Sequence, residues 1–510
     1  MTKLRTILCI LPLLFMSAVP VSAENDENDG NDPDVRILQD EIVYHILVDR
    51  FNNGNQAPSD QVDLDDPYAY HGGDLQGITD MLQELDSEGF TAVSLSPIME
   101  NAENGYHGYW VDDFFDVEDE FGTMEDLKAL IKEAHSLDMR VLLELDLNHI
   151  AKSSELANDE SKENWFKESD VEPIDATEWL DEVLVFDQKN KDVAAYLNDV
   201  ADYWMEETDI DGYTLHAADQ YDPAFLQDLT SKIKEKHPNF YLIATALQED
   251  AQVDSLFDNE DLDAISNPEM YEAMNDVFTK PDEPITNILQ TYQKRDDDRS
   301  LLYVDNMNTP RFSNNFADQG RDAETTWKMA LAYLYFTPGV PMIYQGSEIP
   351  MYGPGFPENQ NMVEFTSSDP DLEDVFEKMA SIRDQFPSLA RGEIEQVAES
   401  NGMSLFKREY ENELVYIAIN NDSESHSVEI DEEELTDEVQ LRGLLHDDTI
   451  RKNNDGKFLI GMERESSEVF VIRDDTGFNW GFIAFVVGLL SLFVVFVIVM
   501  SVKQKKREKK

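Results

Sequence analysis

The sequence predicts an α/β protein: a closed (β/α)8 TIM-type barrel, then a small antiparallel β domain, then a C-terminal transmembrane helix. Three observations carry this. Between about residues 40 and 350, eight short apolar, β-rich runs alternate with amphipathic helical patterns, which favours a closed parallel barrel over a doubly wound sheet. From about Arg391 the helical patterns stop and short strands broken by Asn, Asp and Gly take over. Residues 480–502 then run without a single charge.

Taken in order, residues 1–23 combine Lys3 and Arg5, an apolar run from Ile7 to Val21, and a small-residue close at Val21-Ser22-Ala23. That pattern reads as a secretory signal peptide. Residues 24–34, "ENDENDGNDPD", read as an acidic spacer with too little apolar surface to fold. The barrel is assigned to 35–390, with strands in "IVYHILV", "TAVSLS", "RVLLELDL", "DGYTLHA", "YLIATAL", "DAIS", "LLYVDN" and "PMIYQG". A short excursion is expected near 150–185. Stretches such as "MEDLKALIKEAHSLD" and "KDVAAYLNDVADYWMEE" space their apolar residues as helices do. The β domain is assigned to 391–474 from "SLFKREY", "LVYIAINN", "HSVEID" and "SSEVFVIR". The 480–502 run would be roughly 34 Å long as a helix, enough to cross a bilayer. "KQKKREKK" at 503–510 follows it, and the positive-inside tendency puts that tail in the cytoplasm and the body outside the cell.

Charge and cysteine content narrow the function classes. The formal net charge is −68, spread over every segment, which suits a solvated surface in salty or alkaline medium and repels nucleic acid. The only cysteine, Cys9, lies in the signal segment, so a disulfide-stapled mature fold is not expected.

In a barrel of this kind function sits at the C-terminal strand ends, and there the motifs are specific. "VYHILVDRFNNGN", "HGGDLQGITDMLQELDSEGFTAVSLSPIMENAENGYHGYWVDDFFDVEDEFGT", "DLNH", "VDNMNTPRF" and "MIYQGSE" stand in this order along the chain. Together they resemble the alpha-amylase family of glycoside hydrolases, including its cyclodextrin-forming and maltogenic members. The resemblance runs from about Asp40 to the end of the β domain. It implies a (β/α) barrel, an excursion after the third strand, a C-terminal β domain, and hydrolysis or transfer of α-glucans by a carboxylate nucleophile and a carboxylic acid.

The family's three catalytic carboxylates do not carry over. The fourth-strand motif of the family is Gly, any, Arg, any, Asp; here it reads Gly212-Tyr213-Thr214-Leu215-His216, so His216 stands for the nucleophile. The fifth-strand general acid falls on Thr245, preceded by Ala244. The seventh-strand carboxylate falls on Asn308, preceded by Met307. An imidazole can be nucleophilic but lacks the charge that stabilises an oxocarbenium-like transition state, and Thr245 cannot protonate a leaving group. Losing the acid alone removes about 10²–10⁴ in rate. Glu249, Glu144 and Asp146 are substitute carboxylates in principle. Both of the last two read more simply as strand-end polar residues.

The sugar-holding side of the motif set survives. The resemblance places His107 and Tyr109 of "GYHGYW", and His149, at sugar-contacting positions, and an aromatic ring suits the apolar face of a pyranose. A packed loop aromatic or a satisfied core histidine would look the same in sequence. For calcium, the resemblance assigns Asn148 to the family's structural site, but an Asp of that site falls on Val185. A second site, typical of cyclodextrin-forming members, would draw on Asn53, Asn55 and Asp74, with Asp60 if the loop shifts by one residue. Asn and Asp are also common in turns that hold no metal.

The sequence therefore leaves three functions open. One is a membrane-anchored extracellular pseudoenzyme that binds α-glucan, such as a maltooligosaccharide, or a protein partner. The second is an active glucan hydrolase or transglycosylase with an altered site. The third is a subunit of a membrane assembly with another membrane protein, like the amylase-like heavy chains of amino-acid transporters.

Overall fold

The computed structural model describes residues 35–55, 61–167, 175–247, 253–295, 297–430, 435, 439–475 and 480–507. The signal segment, the acidic spacer, Asp60, Glu249 and the last three residues of the basic tail lie outside them. The chain divides into two compact units, Met1–Ile37 and Leu38–Lys510, and the second holds the barrel and the β domain.

Eight parallel strands close the barrel: β1 (Val43–Ile46), β2 (Ala92–Leu95), β3 (Arg140–Leu145), β4 (Gly212–Leu215), β5 (Tyr241–Ala244), β6 (Ala264–Ser266), β7 (Ser300–Leu302) and β8 (Val340–Tyr344). Each pairs with the next in chain order, and β8 returns to β1 with Val43 opposite Met342. Every residue of these strands except Arg140 is buried. Helices cover the outer face and the strands enclose the inner one, so the strands read as continuous apolar runs. Six of the eight anticipated runs contain their barrel strand whole, and "LLYVDN" and "PMIYQG" begin one residue inside theirs, after Ser300 and Val340.

The helices between them start on specific caps. Thr123 and Asp126 form a reciprocal capping box at the head of Met124–Ser136, which satisfies two N–H groups that the helix cannot pair internally. Asp74, Asn190 and Asp222 cap Leu75–Ser87, Lys191–Glu207 and Pro223–Lys236 by side-chain acceptance from backbone N–H. After β3 the chain leaves the barrel for a three-stranded antiparallel sheet of His149–Ala151, Val183–Phe186 and Phe166–Lys167, with Val183–Phe186 in the middle.

Helix Pro387–Arg391 leads into the β domain. Its strands are β9 (Glu393–Ser400), β10 (Met403–Tyr410), β11 (Glu413–Asn420), β12 (His426–Ile430), β13 (Val439–Gly443), β14 (Thr449–Ile450), β15 (Phe458–Met462) and β16 (Ser466–Asp474). Six of them form one antiparallel sheet in the order β9-β10-β11-β16-β13-β14, and β12 pairs with β15. Buried polar groups tie this domain to the barrel. Arg408 donates to the Phe336 carbonyl at 2.9 Å, and the Asn421 amide donates to Val277, Lys280 and Glu283 carbonyls at 2.9–3.0 Å.

The chain ends in helix Trp480–Arg507. Its segment Ala484–Ser501 has a mean hydropathy of 2.8 and is long and apolar enough to cross a membrane.

Candidate functional site

The parallel strands end on one rim, and that rim gathers the anticipated residues. His216 follows β4 directly and Thr245 follows β5. The two are locked in register: Thr245 N donates to Leu215 O (3.0 Å), Ala218 N to Thr245 O (2.9 Å), and His216 N to Leu145 O (3.0 Å). Ala217, next to His216, sits in the left-handed region at φ 51°, a conformation that costs a non-glycine residue on the order of 1 kcal/mol and turns the chain sharply out of β4. Gly108 (φ +87°) performs the same service for the Tyr109 loop, where a Cβ would fall 2.3 Å from the Pro97 carbonyl.

The centre of the rim is Glu144, the last residue but one of β3. Its Oε1 accepts from His216 Nδ1 at 2.6 Å and from the Tyr109 hydroxyl at 2.9 Å, and its Oε2 lies 3.8 Å from His45 Nε2. Asp146 supports the arrangement from one side. Its Oδ2 accepts from His149 Nδ1 at 2.8 Å, and its Oδ1 from the Asn148 and His149 backbone N–H groups at 2.9 and 3.2 Å.

Burial alone would lower the pKa of His216, but the Glu144 hydrogen bond and charge, with Asp146 and Asp219, raise it above the ordinary histidine value. His45 goes the other way: its burial outweighs Glu144, and His216 adds to the lowering. Burial, then Arg50 and His216, push His107 down to about 3. His107 is therefore neutral, in keeping with its Nδ1 accepting from Tyr109 N at 3.0 Å. Burial raises Asp146, but the His149 charge and hydrogen bond outweigh it and leave its carboxyl below the usual range.

Two chambers meet here. The lower one is a cavity of about 40 Å³ lined by Glu144, His216, Thr245, Asn308, His45 and Tyr303 among others. The upper one is about 280 Å³ and is walled by Tyr68, Tyr106, Trp110, Trp179 and Phe356, with Asn104, His107, Asp181, Glu182 and Gln360 as polar groups. Tyr109 and Met307 line both and stand between them. The Tyr109 hydroxyl is 3.0 Å from the Met307 sulfur. The Met307 backbone is fixed in turn by Asn359 and Gln360, whose amides donate to its carbonyl at 2.8 and 2.9 Å.

The anticipated sugar residues thus fall into three settings. His107 (6 % exposed) lines the upper chamber, while Tyr109 (1 %) forms its floor. Tyr109 is packed against His107, Trp179 and His216 at ring separations of 5.6, 4.8 and 4.2 Å. His149 lines neither chamber and meets Trp179 edge-on at 5.2 Å. Two residues carry the site without having been marked as doing so. Glu144 was read as a strand-end polar residue and is instead the hub of the lower chamber. Trp179, held by the Trp110 indole N–H donating to its carbonyl at 2.9 Å, walls the upper one. Its only sequence signal was a tryptophan in the expected excursion.

In the expected calcium set, Asp74 is already engaged by backbone donors. Asp74 Oδ1 accepts from Gly77 N (2.6 Å) and Gly54 N (3.0 Å), and Oδ2 from Asn55 N (2.8 Å). Three backbone donors therefore close the loop that holds Asn53 and Asn55. Asn148 Oδ1 faces the Gln188 amide at 3.5 Å, and Val185 pairs with His149. Among the described residues, no group of three or more His, Cys, Asp or Glu is placed to hold a metal ion.

With this geometry in place, comparison decides the lineage. The alpha-amylase catalytic domain matches residues 45–179 and 177–388, and the alpha-amylase C-terminal domain matches 392–470. The chain belongs to the alpha-amylase family. Relatives of this alpha-amylase-family protein include a cyclomaltodextrinase of Geobacillus thermopakistaniensis (strain MAS1), 28% identical over 422 residues, or 77% of this chain and 70% of the relative. Among solved structures, an Anoxybacillus alpha-amylase is 37% identical with a TM-score of 0.82, over 87% of this chain and 100% of that one. The alpha-amylase of Geobacillus thermoleovorans, solved with acarbose, is 34% identical with a TM-score of 0.79, over the same shares. These matches give the barrel, the C-terminal β domain and the family's glycosidase ancestry to this chain.

Proposed function

We propose that this alpha-amylase-family protein binds α-glucan without cleaving it by the family's ordinary mechanism. We further infer that its C-terminal helix anchors it in the cell membrane, with the body outside. One observation carries the first point: at the strand ends, the position of the family's nucleophile holds His216, whose Nδ1 is committed to Glu144 at 2.6 Å. Thr245 beside it donates its hydroxyl to the Leu215 carbonyl at 3.3 Å and has no proton to give a leaving oxygen at neutral pH. The ligand class rests on the aromatic upper chamber and on the acarbose-bound relative. The anchor rests on Ala484–Ser501, none of which is buried in the fold.

A second reading, an active hydrolase with altered chemistry, has one observation in its favour: two carboxylates, Glu144 and Asp146, lie beside His216. A third, a subunit docked to another membrane protein, shares the anchor. One experiment separates them. The full chain in detergent micelles is titrated with maltoheptaose by calorimetry, and the mixture is followed by chromatography for days. Heat without product is expected. Product that disappears in His216→Ala would overturn the proposal in favour of the second reading. Absence of both heat and product would overturn it in favour of a protein partner.

A further inference from the structure

The geometry points to a blind pocket for the end of a glucan chain, set above the family's catalytic positions and walled off from them. The inference deepens the glucan reading and rests on it. Its first ground is the exposure gradient in the upper chamber. The rim residues Tyr68, Asn104, Asp181 and Glu182 are exposed, whereas the inner residues Tyr106, His107, Tyr109, Met307 and Gln360 are buried. A chamber open on one side and closed on the other admits a terminus and stops it.

The second ground is the construction of the floor. The Tyr109 hydroxyl is held by Glu144 from below and touches the Met307 sulfur. Two side-chain amides pin the Met307 carbonyl, and Gln360, which supplies one of them, also accepts from the Tyr106 hydroxyl at 2.9 Å. Floor and wall are therefore one hydrogen-bonded unit and not a loose side chain that a ligand could push aside. The lower chamber, at about 40 Å³, is roughly one-seventh the size of the upper one (40/280). It has room for a few waters, not for a sugar ring.

The third ground is chemistry. The upper chamber offers ring faces for the C–H side of a pyranose and a small set of polar groups for its hydroxyls. At its mouth Tyr68 and Phe356 meet edge to face at 5.8 Å, which extends the aromatic surface outward along the path of a following sugar unit. The pocket takes a linear maltooligosaccharide by one end. A cyclic glucan, which has no end, is stopped at the rim.

The test uses the full chain in detergent micelles, with maltotriose and α-cyclodextrin as probes in calorimetry. Maltotriose is expected to bind at least about tenfold more tightly than α-cyclodextrin. Trp179→Ala and the rim variant Tyr68→Ala should each weaken maltotriose several-fold. Thr245→Val and Asn308→Ala, in the lower chamber, should leave it within twofold. Because Tyr68 is half exposed, its variant keeps the test informative if Trp179→Ala fails to fold. Equal affinity for the two sugars, or losses in Thr245→Val matching those in Tyr68→Ala, would overturn the blind pocket while leaving glucan binding intact. No heat with either sugar would overturn both readings together.

Discussion

The two chambers that share Tyr109 and Met307 are built on opposite principles. The lower one is built around buried titratable groups: Glu144 collects His216 and Tyr109, and Asp146 collects His149 and two backbone N–H groups. The upper one is aromatic and opens at an exposed rim. An enzyme keeps its charged groups where substrate can reach them. Here Glu144 is tied to His216 and Tyr109, and the larger open surface beside it is of the kind that binds rings. The contrast is what the proposed reading requires: strand ends that serve structure, beside a surface of the kind that holds a sugar.

If that is so, the largest effect should come from breaking the lower chamber. Glu144→Ala leaves His216, whose pKa is raised, without its anionic partner, and frees the Tyr109 hydroxyl. Removing one partner of a buried pair typically costs about 3–5 kcal/mol. Denaturant unfolding should show a loss of that order. A loss below about 1 kcal/mol would mean that water already reaches Glu144 and that the chamber is not closed.

The next test joins the chambers. Met307→Ala removes half of the partition, at a cost of about 2 kcal/mol, the low end for a buried methionine because the new space adjoins an existing cavity. In that background Thr245→Val, silent before, should begin to change the maltotriose affinity. If it stays silent, the partition does not depend on Met307. Tyr109→Phe is milder. It removes one hydrogen bond to a buried carboxylate, worth about 1.5 kcal/mol, the low end because Glu144 keeps its bond to His216, and should lower stability with little change in maltotriose heat, since the ring remains as floor.

The difference between what was legible in the sequence and what was not follows the same line. Barrel strands are buried on both faces, so each announced itself as an apolar run. The strands β9 and β15 alternate buried or half-buried residues with exposed ones, and the anticipated list passed over them. The family motifs located the lower chamber residue by residue. They do not mark Glu144, because residues two apart on a strand share a face and alternation cannot separate it from Asp146. In the structure the strand end separates them: β3 stops at Leu145, and Asp146 lies in the turn beyond it. Trp179 reaches the upper chamber through a fold-back of about thirty residues from β3, a path that no local pattern encodes.

The smallest expected effect is also the most specific to the lower chamber, because burial and the Glu144 attraction oppose each other at His216. The folded-state pKa of His216 lies above its unfolded value near 6.5. Between those two values the native state binds the extra proton, so stability falls as pH rises. The contribution is fully present below about pH 6.5 and is lost as pH climbs through the folded pKa. His216→Gln removes that titration and nothing else of comparable charge. The difference in unfolding free energy between the parent and His216→Gln should therefore shrink steadily from pH 6 towards pH 9. A difference that grows with pH would show His216 to be neutral in the folded chain. It would then be a free imidazole next to a carboxylate, which is what the altered-enzyme reading requires.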